Sequence, residues 1–219
     1  MSSLHVVSLY DAYGDGLRPW ADAGFSCFAY SPKKILKQAN GDITFIKATL
    51  NSDMLNDIVS KHQNQTAFFM AYPPCEALSG GGARWWREKF LEDPDYQLKA
   101  VHVVKDSWKM AVALGNVPFY VENPPGVLGR LWREPDYKFE PYEYGGYLSK
   151  RDLHPRWPDH IPAQDAYRRR ICLWTGHGFE MPAVKLVSPQ RKAYGKTAPR
   201  VSRRVIPRAF SQAVFLANH

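Results

Sequence analysis

Short apolar segments rich in β-branched and aromatic residues alternate along this chain with longer segments that have helical periodicity. This alternation predicts parallel strands joined by helices, because each connection is long enough to return the chain to the same edge of a sheet. Hydrophobic residues make up 45% of the 219 residues and aromatic residues 14%, so the chain can form a substantial core and is not a disordered polymer. We therefore predict a single α/β domain over residues 1–219, with helices on both faces of a mostly parallel sheet.

The predicted strands and helices follow from the two periodicities. The strands are expected at residues 4–10, 26–30, 43–48, 66–71, 117–122 and 170–174, and the helices at 17–23, 52–62, 96–114 and 207–217. The segment 134–165 is rich in proline, tyrosine and charge, which favours a surface loop or lid over a second domain. No apolar run approaches the roughly 18 residues of a membrane span, and the N-terminus lacks a secretory signal, so an intracellular location is expected.

Three loops are expected to share the edge of the sheet at which ligands bind. They are residues 11–16 after the first strand, 72–82 after the fourth and 122–126 after the fifth. In an open parallel sheet the carboxyl ends of the strands lie together, and ligands bind beyond them. A reactive side chain in any of these loops is therefore a candidate site residue.

Cys75 follows two prolines directly after an apolar strand. The fixed φ of the prolines holds the thiol at the edge of the sheet at little further cost in entropy. A thiol with a pKa of about 8.5 needs nearby positive charge to become a useful nucleophile at neutral pH. Since a cysteine is also commonly a small buried hydrophobe, Cys75 alone leaves both interpretations open.

Glu122 and three consecutive arginines add polar groups at the same edge. Glu122 ends the fifth strand before an Asn-Pro break, where it is either an acid or hydrogen-bond partner or an ordinary surface residue. Alternation along an extended chain predicts that Arg168 and Arg170 share one face and that Arg169 lies on the other. By itself such a triplet is more typical of a solvated or phosphate-binding surface.

Together, these motifs resemble the cytosine carbon-5 DNA methyltransferases, and in particular the short phage-encoded branch that lacks a target-recognition domain. The resemblance covers most of the chain. The matching motifs are Pro73-Pro74-Cys75, Glu122-Asn123-Pro124 and Arg168-Arg169-Arg170, the last with Ala166 where the family has Gln. The resemblance implies the Rossmann-like fold of methyltransferases that use S-adenosylmethionine as the methyl donor.

The resemblance also implies covalent catalysis on a flipped or single-stranded cytosine in DNA. Cys75 would add to carbon 6, Glu122 would hydrogen-bond the ring N3, and Arg168 and Arg170 would hold the base carbonyl. The further residues that it places at the substrate are Pro74, Ser79, Arg84, Asn123 and Pro124.

The implied methyl donor is held by the turn after the first strand and by residues after the next strands. The corresponding positions are Tyr10, Ala12, Tyr13, Gly14, Ser31, Thr49, Pro73 and Arg203. Ala12 replaces a glycine of the family, and Ser31 and Thr49 replace acids. Arg203 replaces an asparagine, which suggests a carboxylated donor such as carboxy-S-adenosylmethionine, because Arg binds a carboxylate through two hydrogen bonds. The departures leave three possibilities open: a drifted pocket for the ordinary donor, a pocket for a modified donor, or a catalytic relic.

The charge balance favours DNA as the partner. With 29 Lys and Arg against 21 Asp and Glu, the formal charge is +8, which suits a polyanion. Only residues 175–197 are available for target recognition, which predicts weak sequence specificity, as would suit a phage enzyme acting in the host cytoplasm. The alternatives are a free pyrimidine nucleotide as substrate and a catalytically silent DNA-binding or decoy protein.

Two further groups of residues are given structural interpretations. His154, Asp159 and His160 do not have the spacing of a usual metal site, so no metal is expected. Trp85 and Trp86 are interpreted as packing residues in preference to base-stacking platforms.

Overall fold

The computed structural model of this protein describes residues 4–33, 43–190 and 205–219. The described strands are β1 (His5–Leu9), β2 (Ser26–Ser31), β3 (Ile43–Lys47), β4 (Thr66–Ala71), β5 (Phe119–Asn123), β6 (Tyr137–Phe139) and β7 (Ile171–Gly176). The α-helices are α1 (Arg18–Asp22), α2 (Ser52–His62), α3 (Trp86–Glu92), α4 (Tyr96–Ala113), α5 (Leu128–Leu131) and α6 (Arg208–Asn218). Short 3₁₀ helices lie at Gly80–Trp85, Pro141–Glu143, Gly145–Tyr147 and Ala163–Asp165.

The described strands form one sheet in the order β3-β2-β1-β4-β5-β7-β6. Strands β1 to β5 pair in parallel, and β7 is antiparallel to both of its neighbours, β5 and β6. A mostly parallel sheet of this kind, with its crossover connections, is a Rossmann-like α/β fold. The predicted fold class is therefore confirmed, while the antiparallel direction of β7 was not predicted.

Helices cover both faces of the sheet. On one face Trp20 of α1 and Phe210 of α6 pack in a cluster with Phe68 of β4. On the other face α2 and α4 pack in a second cluster, which contains Phe69 of β4. Because adjacent residues of β4 enter opposite cores, both must be apolar, which explains why the strand has an unbroken hydrophobic sequence.

Local sequence signals set several element bounds as predicted. Helix α2 and strand β4 have the predicted limits. Helix α2 begins where the side chain of Asn51 accepts a hydrogen bond from the backbone N–H of Met54 at 3.0 Å, an N-cap that satisfies one of the free amides of the first turn. The sequence did not predict α3, α5 and β6, which have 7, 4 and 3 residues and are too short for a clear periodicity.

The segment 134–165 is not a surface loop throughout, and this prediction needs correction. The segment supplies the edge strand β6, and Phe139, Tyr144 and His154 are buried. The ring of Phe139 stacks on Phe210 with 4.1 Å between centroids, and the ring of Tyr144 meets Phe210 edge-on at 5.1 Å. The aromatic residues that suggested an irregular surface segment are therefore part of the core beside α6.

Candidate active site

A cavity of about 400 Å³ lies at the carboxyl ends of β1, β4 and β5, where the three loops were expected to meet. The turn after β1 contributes Tyr10, Asp11, Ala12, Tyr13 and Asp15. The loop after β4 contributes Tyr72, Pro73, Pro74, Cys75 and Glu76. The remaining lining residues are Lys33, Glu122, Pro124, Arg169, Arg170, Val205 and Ile206. Nine of the sequence-predicted site residues thus meet in one cavity: Tyr10, Ala12, Tyr13, Pro73, Pro74, Cys75, Glu122, Pro124 and Arg170.

Buried hydrogen bonds hold the loop that carries Cys75. Asn123 is fully buried, and its Nδ2 donates to the carbonyl oxygen of Pro73 at 3.1 Å. The carbonyl oxygen of Cys75 accepts hydrogen bonds from the backbone N–H groups of Leu78 at 3.0 Å and Ser79 at 2.8 Å. Asn123 and Ser79 do not line the cavity, so in this structure they position the Cys75 loop from behind.

Glu122 lies half-buried in the cavity wall. Burial raises the pKa of its carboxyl to about 7, because the charged form loses its solvation, and the positive charge of Arg169 opposes the shift only in part. A carboxyl with this pKa exchanges its proton near neutral pH, as a general acid must.

The three arginines do not have the predicted arrangement, and this expectation was wrong. Arg169 and Arg170 line the cavity, whereas Arg168 does not. The Nη1 of Arg168 lies 3.2 Å from a carboxylate oxygen of Glu140, and its guanidinium stacks on the ring of Tyr142 in an exposed position. The triplet precedes β7, which begins at Ile171, so strand alternation does not apply to it.

Arg169 is the cavity residue that sequence reasoning placed on the wrong face. Its Nη2 donates to the carbonyl oxygen of Val205 at 2.8 Å, which joins the triplet to the segment leading into α6. Lys33, Tyr72, Glu76 and Ile206 were not proposed as site residues either. Their only sequence signal is nearness to strand ends or to the proposed motifs.

The turn after β1 is organised by a buried carboxylate. Tyr10 has a positive φ of 60°, which is uncommon for a residue with a side chain. One oxygen of Asp11 accepts hydrogen bonds from the backbone N–H groups of Tyr13 at 3.0 Å and Gly14 at 2.7 Å, and the other accepts one from the Ser8 hydroxyl at 3.1 Å. Burial raises the pKa of Asp11, and these hydrogen bonds oppose the shift.

Arg156 stabilises this turn through contacts with Tyr13 and Asp15. It belongs to the segment 134–165, which was expected to be a surface loop. Its guanidinium donates to the carbonyl oxygen of Tyr13 at 3.2 Å and forms an ion pair with Asp15. It also lies over the rings of Tyr13 and Trp157, at 5.1 and 4.9 Å from their centroids. The segment 134–165 therefore supports the cavity as well as the core.

The structure does not bring every predicted donor or substrate residue to the cavity. Gly14 backs onto Phe45, Ser31 is buried at the end of β2, and Thr49 is exposed. None of these three lines the cavity, although Gly14 lies between two residues that do, Tyr13 and Asp15. Arg84 is exposed outside the cavity, and Arg203 lies outside the described residues.

We tested whether the wall near β1 suits a donor of the S-adenosylmethionine type. Its aromatic rings, Tyr10, Tyr13 and Tyr72, suit an adenine ring and a sulfonium cation, and its carboxyls, Asp11 and Asp15, suit positive charge. The wall is continuous with Cys75 and Glu122. The residues therefore fit such a donor, with the difference that Gly14, Ser31 and Thr49, which the resemblance also assigns to the donor, are absent from the wall.

The described residues contain neither a candidate membrane span nor a candidate metal cluster. No helix among them is long and apolar enough to cross a membrane. Within the same part of the chain, no group of three or more His, Cys, Asp or Glu side chains is arranged to hold a metal ion.

Comparisons with known proteins give structural neighbours only. No protein-family model and no curated protein matches the sequence. One solved neighbour is described as a DNA modification methyltransferase encoded within an E. coli prophage, with a TM-score of 0.44, 16% identity and coverage of 80% of this chain. This chain spans 46% of that protein, so about half its length.

A second solved neighbour is described as an antibiotic-related methyltransferase. It has a TM-score of 0.40 and 12% identity, and the match covers 79% of this chain and 87% of that one. Both TM-scores are low, so neither neighbour by itself supports a function for this chain.

Proposed function

We propose that this protein modifies cytosine at carbon 5 in DNA, with Cys75 as the covalent nucleophile and a donor of the S-adenosylmethionine type. The observation that carries the proposal is the shared cavity wall: Cys75, Glu122 and two arginines line the same cavity as the turn after β1. Nucleophile, acid and cations in one cavity supply what the chemistry requires.

In the proposed reaction the Sγ of Cys75 adds to carbon 6 of the cytosine, and the carbon 5–carbon 6 double bond opens. Glu122, in its protonated form, donates a hydrogen bond to the ring N3 and stabilises the electron-rich ring. Arg169 and Arg170 provide positive charge for the base carbonyl and for the thiolate. We assign these roles to Arg169 and Arg170, because Arg168 pairs with Glu140 outside the cavity.

The donor, when bound, supplies an electrophilic carbon on its sulfonium. Tyr10, Tyr13, Asp11 and Asp15 would form its surroundings. Carbon 5 would attack that electrophilic carbon, the bond from the carbon to sulfur would break, and the donor would leave as a neutral thioether. The proton on carbon 5 would then pass to solvent water, the bond between Sγ and carbon 6 would break, and the double bond would be restored. A hydrophobic wall on the side of Val205 and Ile206 would help to exclude water from this exchange.

The proposed substrate is a base that is flipped out or already unpaired, since its ring atoms are hidden in a duplex. The formal charge of +8 favours a polymer over a free nucleotide. The stretch 175–197 is too short for a recognition domain, and we expect weak sequence specificity, in keeping with phage DNA modification.

Trapping with 5-fluorocytosine tests this proposal. Fluorine at carbon 5 cannot leave as a proton, so a productive complex remains covalently joined through Cys75. Intact-mass spectrometry of the protein with a fluorinated oligonucleotide and the donor should show an adduct. Cys75→Ser should abolish the adduct, whereas Cys172→Ser, at a buried cysteine outside the cavity, should retain it.

The same experiment separates the remaining possibilities. An adduct only with carboxy-S-adenosylmethionine would identify a modified donor, and one only with the fluorinated mononucleotide would identify a nucleotide substrate. DNA binding without an adduct under any condition would contradict the proposed chemistry and indicate a silent binding protein.

A further inference from the structure

Trp85 is a large aromatic side chain left exposed beside the proposed active site. Its exposed fraction is 47%, and it ends the 3₁₀ helix Gly80–Trp85, which follows the Cys75 loop. The guanidinium of Arg84 lies over its ring, 4.9 Å from the centroid. Trp86 packs against the core, so the packing interpretation is correct for Trp86 and wrong for Trp85.

The 3₁₀ helix is joined closely to the loop that carries Cys75. The backbone N–H of Ser79 donates to the carbonyl oxygen of Cys75 at 2.8 Å, and that of Gly82 donates to the carbonyl oxygen of Ser79 at 3.0 Å. A Cβ on Gly82 would collide with the backbone of Glu76, so the helix packs directly on the residue after the proposed nucleophile. The backbone of the helix that ends at Trp85 is therefore held against the Cys75 loop.

The charges around Trp85 favour an anionic partner. Arg84, Arg87 and Lys89 form no ion pair with any described residue. Elsewhere in the described chain arginines are often paired, as in Arg208 with Asp152. Exposed aromatic rings interleaved with cations are typical of surfaces that bind unpaired nucleotides, because bases stack on the rings and phosphates approach the cations.

We propose that Trp85, with Arg84 on one face of its ring, is a stacking platform for the base next to the target cytosine. The opposite face of the indole would receive the base, and the exposed Arg87, at the start of α3, would approach an adjoining phosphate. This inference rests on the proposed function, since it takes DNA as the substrate. It assigns Trp85 to the binding of the flanking nucleotide and leaves the chemical step to the cavity residues.

The test is the affinity of the full chain for a single-stranded oligonucleotide with one target cytosine. Trp85→Leu should weaken binding about 10-fold, and Trp85→Phe much less, because a phenyl ring retains a stacking face. The Trp85→Leu effect should persist at all salt concentrations. Arg87→Gln, a control at an exposed cation two residues further along the chain, should instead reduce the slope of log Kd against log salt by about 1.

An oligonucleotide that lacks a base on either side of the target makes the test specific. If Trp85 stacks on that base, Trp85→Leu should have little effect on one of the two abasic oligonucleotides, because the partner of the ring has already been removed. Equal losses on intact and abasic DNA, or wild-type affinity in Trp85→Leu, would overturn the platform. If Trp85→Leu bound DNA with wild-type affinity, the exposed ring would instead be explained by contact with a protein partner.

The result also separates this inference from the proposed function. A Cys75-dependent adduct with no effect of Trp85→Leu would overturn the platform alone. If the wild-type protein bound no DNA at all, both proposals would fail.

Discussion

Glu122 shows how one residue can serve chemistry at a cost in stability. It is the penultimate residue of β5, whose other residues are buried, and burial raises the pKa of its carboxyl from 4.5 to about 7. A folded-state pKa above the unfolded value means that folding favours the protonated form. Stability from this group is present below pH 4.5 and is lost as the pH rises towards 7.

We predict that Glu122→Gln stabilises the protein at pH 8 by about 1–3 kcal/mol and has little effect at pH 4, because the amide carries no charge to desolvate. Urea unfolding at both pH values measures the difference. Glu88→Gln, at an exposed position of α3, controls for the loss of one negative charge. Equal changes at pH 4 and pH 8 would contradict the argument.

The same substitution should lower the rate of modification about 100-fold or more, the usual contribution of a positioned acid. Wild-type activity should also fall as the pH rises above about 7, when Glu122 loses its proton. Glu122→Gln should lack this alkaline decline. A decline that survives in the variant would assign it to another group.

At the scale of elements, a glycine in the turn after β1 avoids both backbone strain and a steric clash, and a second glycine, after α1, avoids backbone strain alone. Gly14 has a φ of 72°, which disfavours any side chain, and a Cβ there would lie 2.8 Å from the ring of Phe45 on β3. Gly24, which follows α1, has a φ of 92° but no neighbour within 4 Å of a Cβ. The pair therefore distinguishes backbone strain from overpacking.

Gly24→Ala should lower the free energy of unfolding by about 1–2 kcal/mol through backbone strain alone. Gly14→Ala should lower it by a further 1–3 kcal/mol or so, because the ring of Phe45 must also shift away from the turn. Chemical denaturation of the two variants in parallel measures both effects. If the two variants lost equal stability, the contact between the turn and β3 would not matter.

At the scale of the whole molecule, buried acids and buried imidazoles act against each other. Burial raises the pKa of Asp15 to about 7 and that of Asp165 to about 6, and Glu122 adds a third raised carboxyl. Burial also lowers the pKa of His62 to about 4 and that of His154 to about 3. As the pH falls below 7, the folded state binds protons on the acids, while the unfolded state binds them on the imidazoles.

The acids outweigh the imidazoles, so we predict that stability increases as the pH falls from 6.5 to 5, by about 1 kcal/mol per pH unit. Asp11, whose pKa burial also raises, acts in the same direction, and His5, whose pKa burial lowers, acts against it. His62→Gln removes one imidazole and should about double this slope, although the loss of its 2.7 Å hydrogen bond with Tyr30 lowers stability at every pH. Thermal unfolding across this pH range measures both slopes. Identical slopes would show that His62 is not held neutral by the fold.

The sequence by itself determined much of the frame of the site. Helical periodicity and a side-chain cap fixed α2, and an unbroken apolar run fixed β4. Two prolines and the end of a strand placed Cys75 and Glu122 at the same edge of the sheet. These signals are local, because they depend on backbone geometry and on burial within a few residues.

Only the tertiary structure decided which polar groups meet in the cavity. Arg169 faces it in place of Arg168, because Glu140 and Tyr142, distant in sequence, hold Arg168 outside. The support of the β1 turn by Arg156 likewise depends on a contact across 141 positions of the chain. No local periodicity encodes such contacts, since they form only when separate elements pack, and the final arrangement of the site therefore required the folded chain.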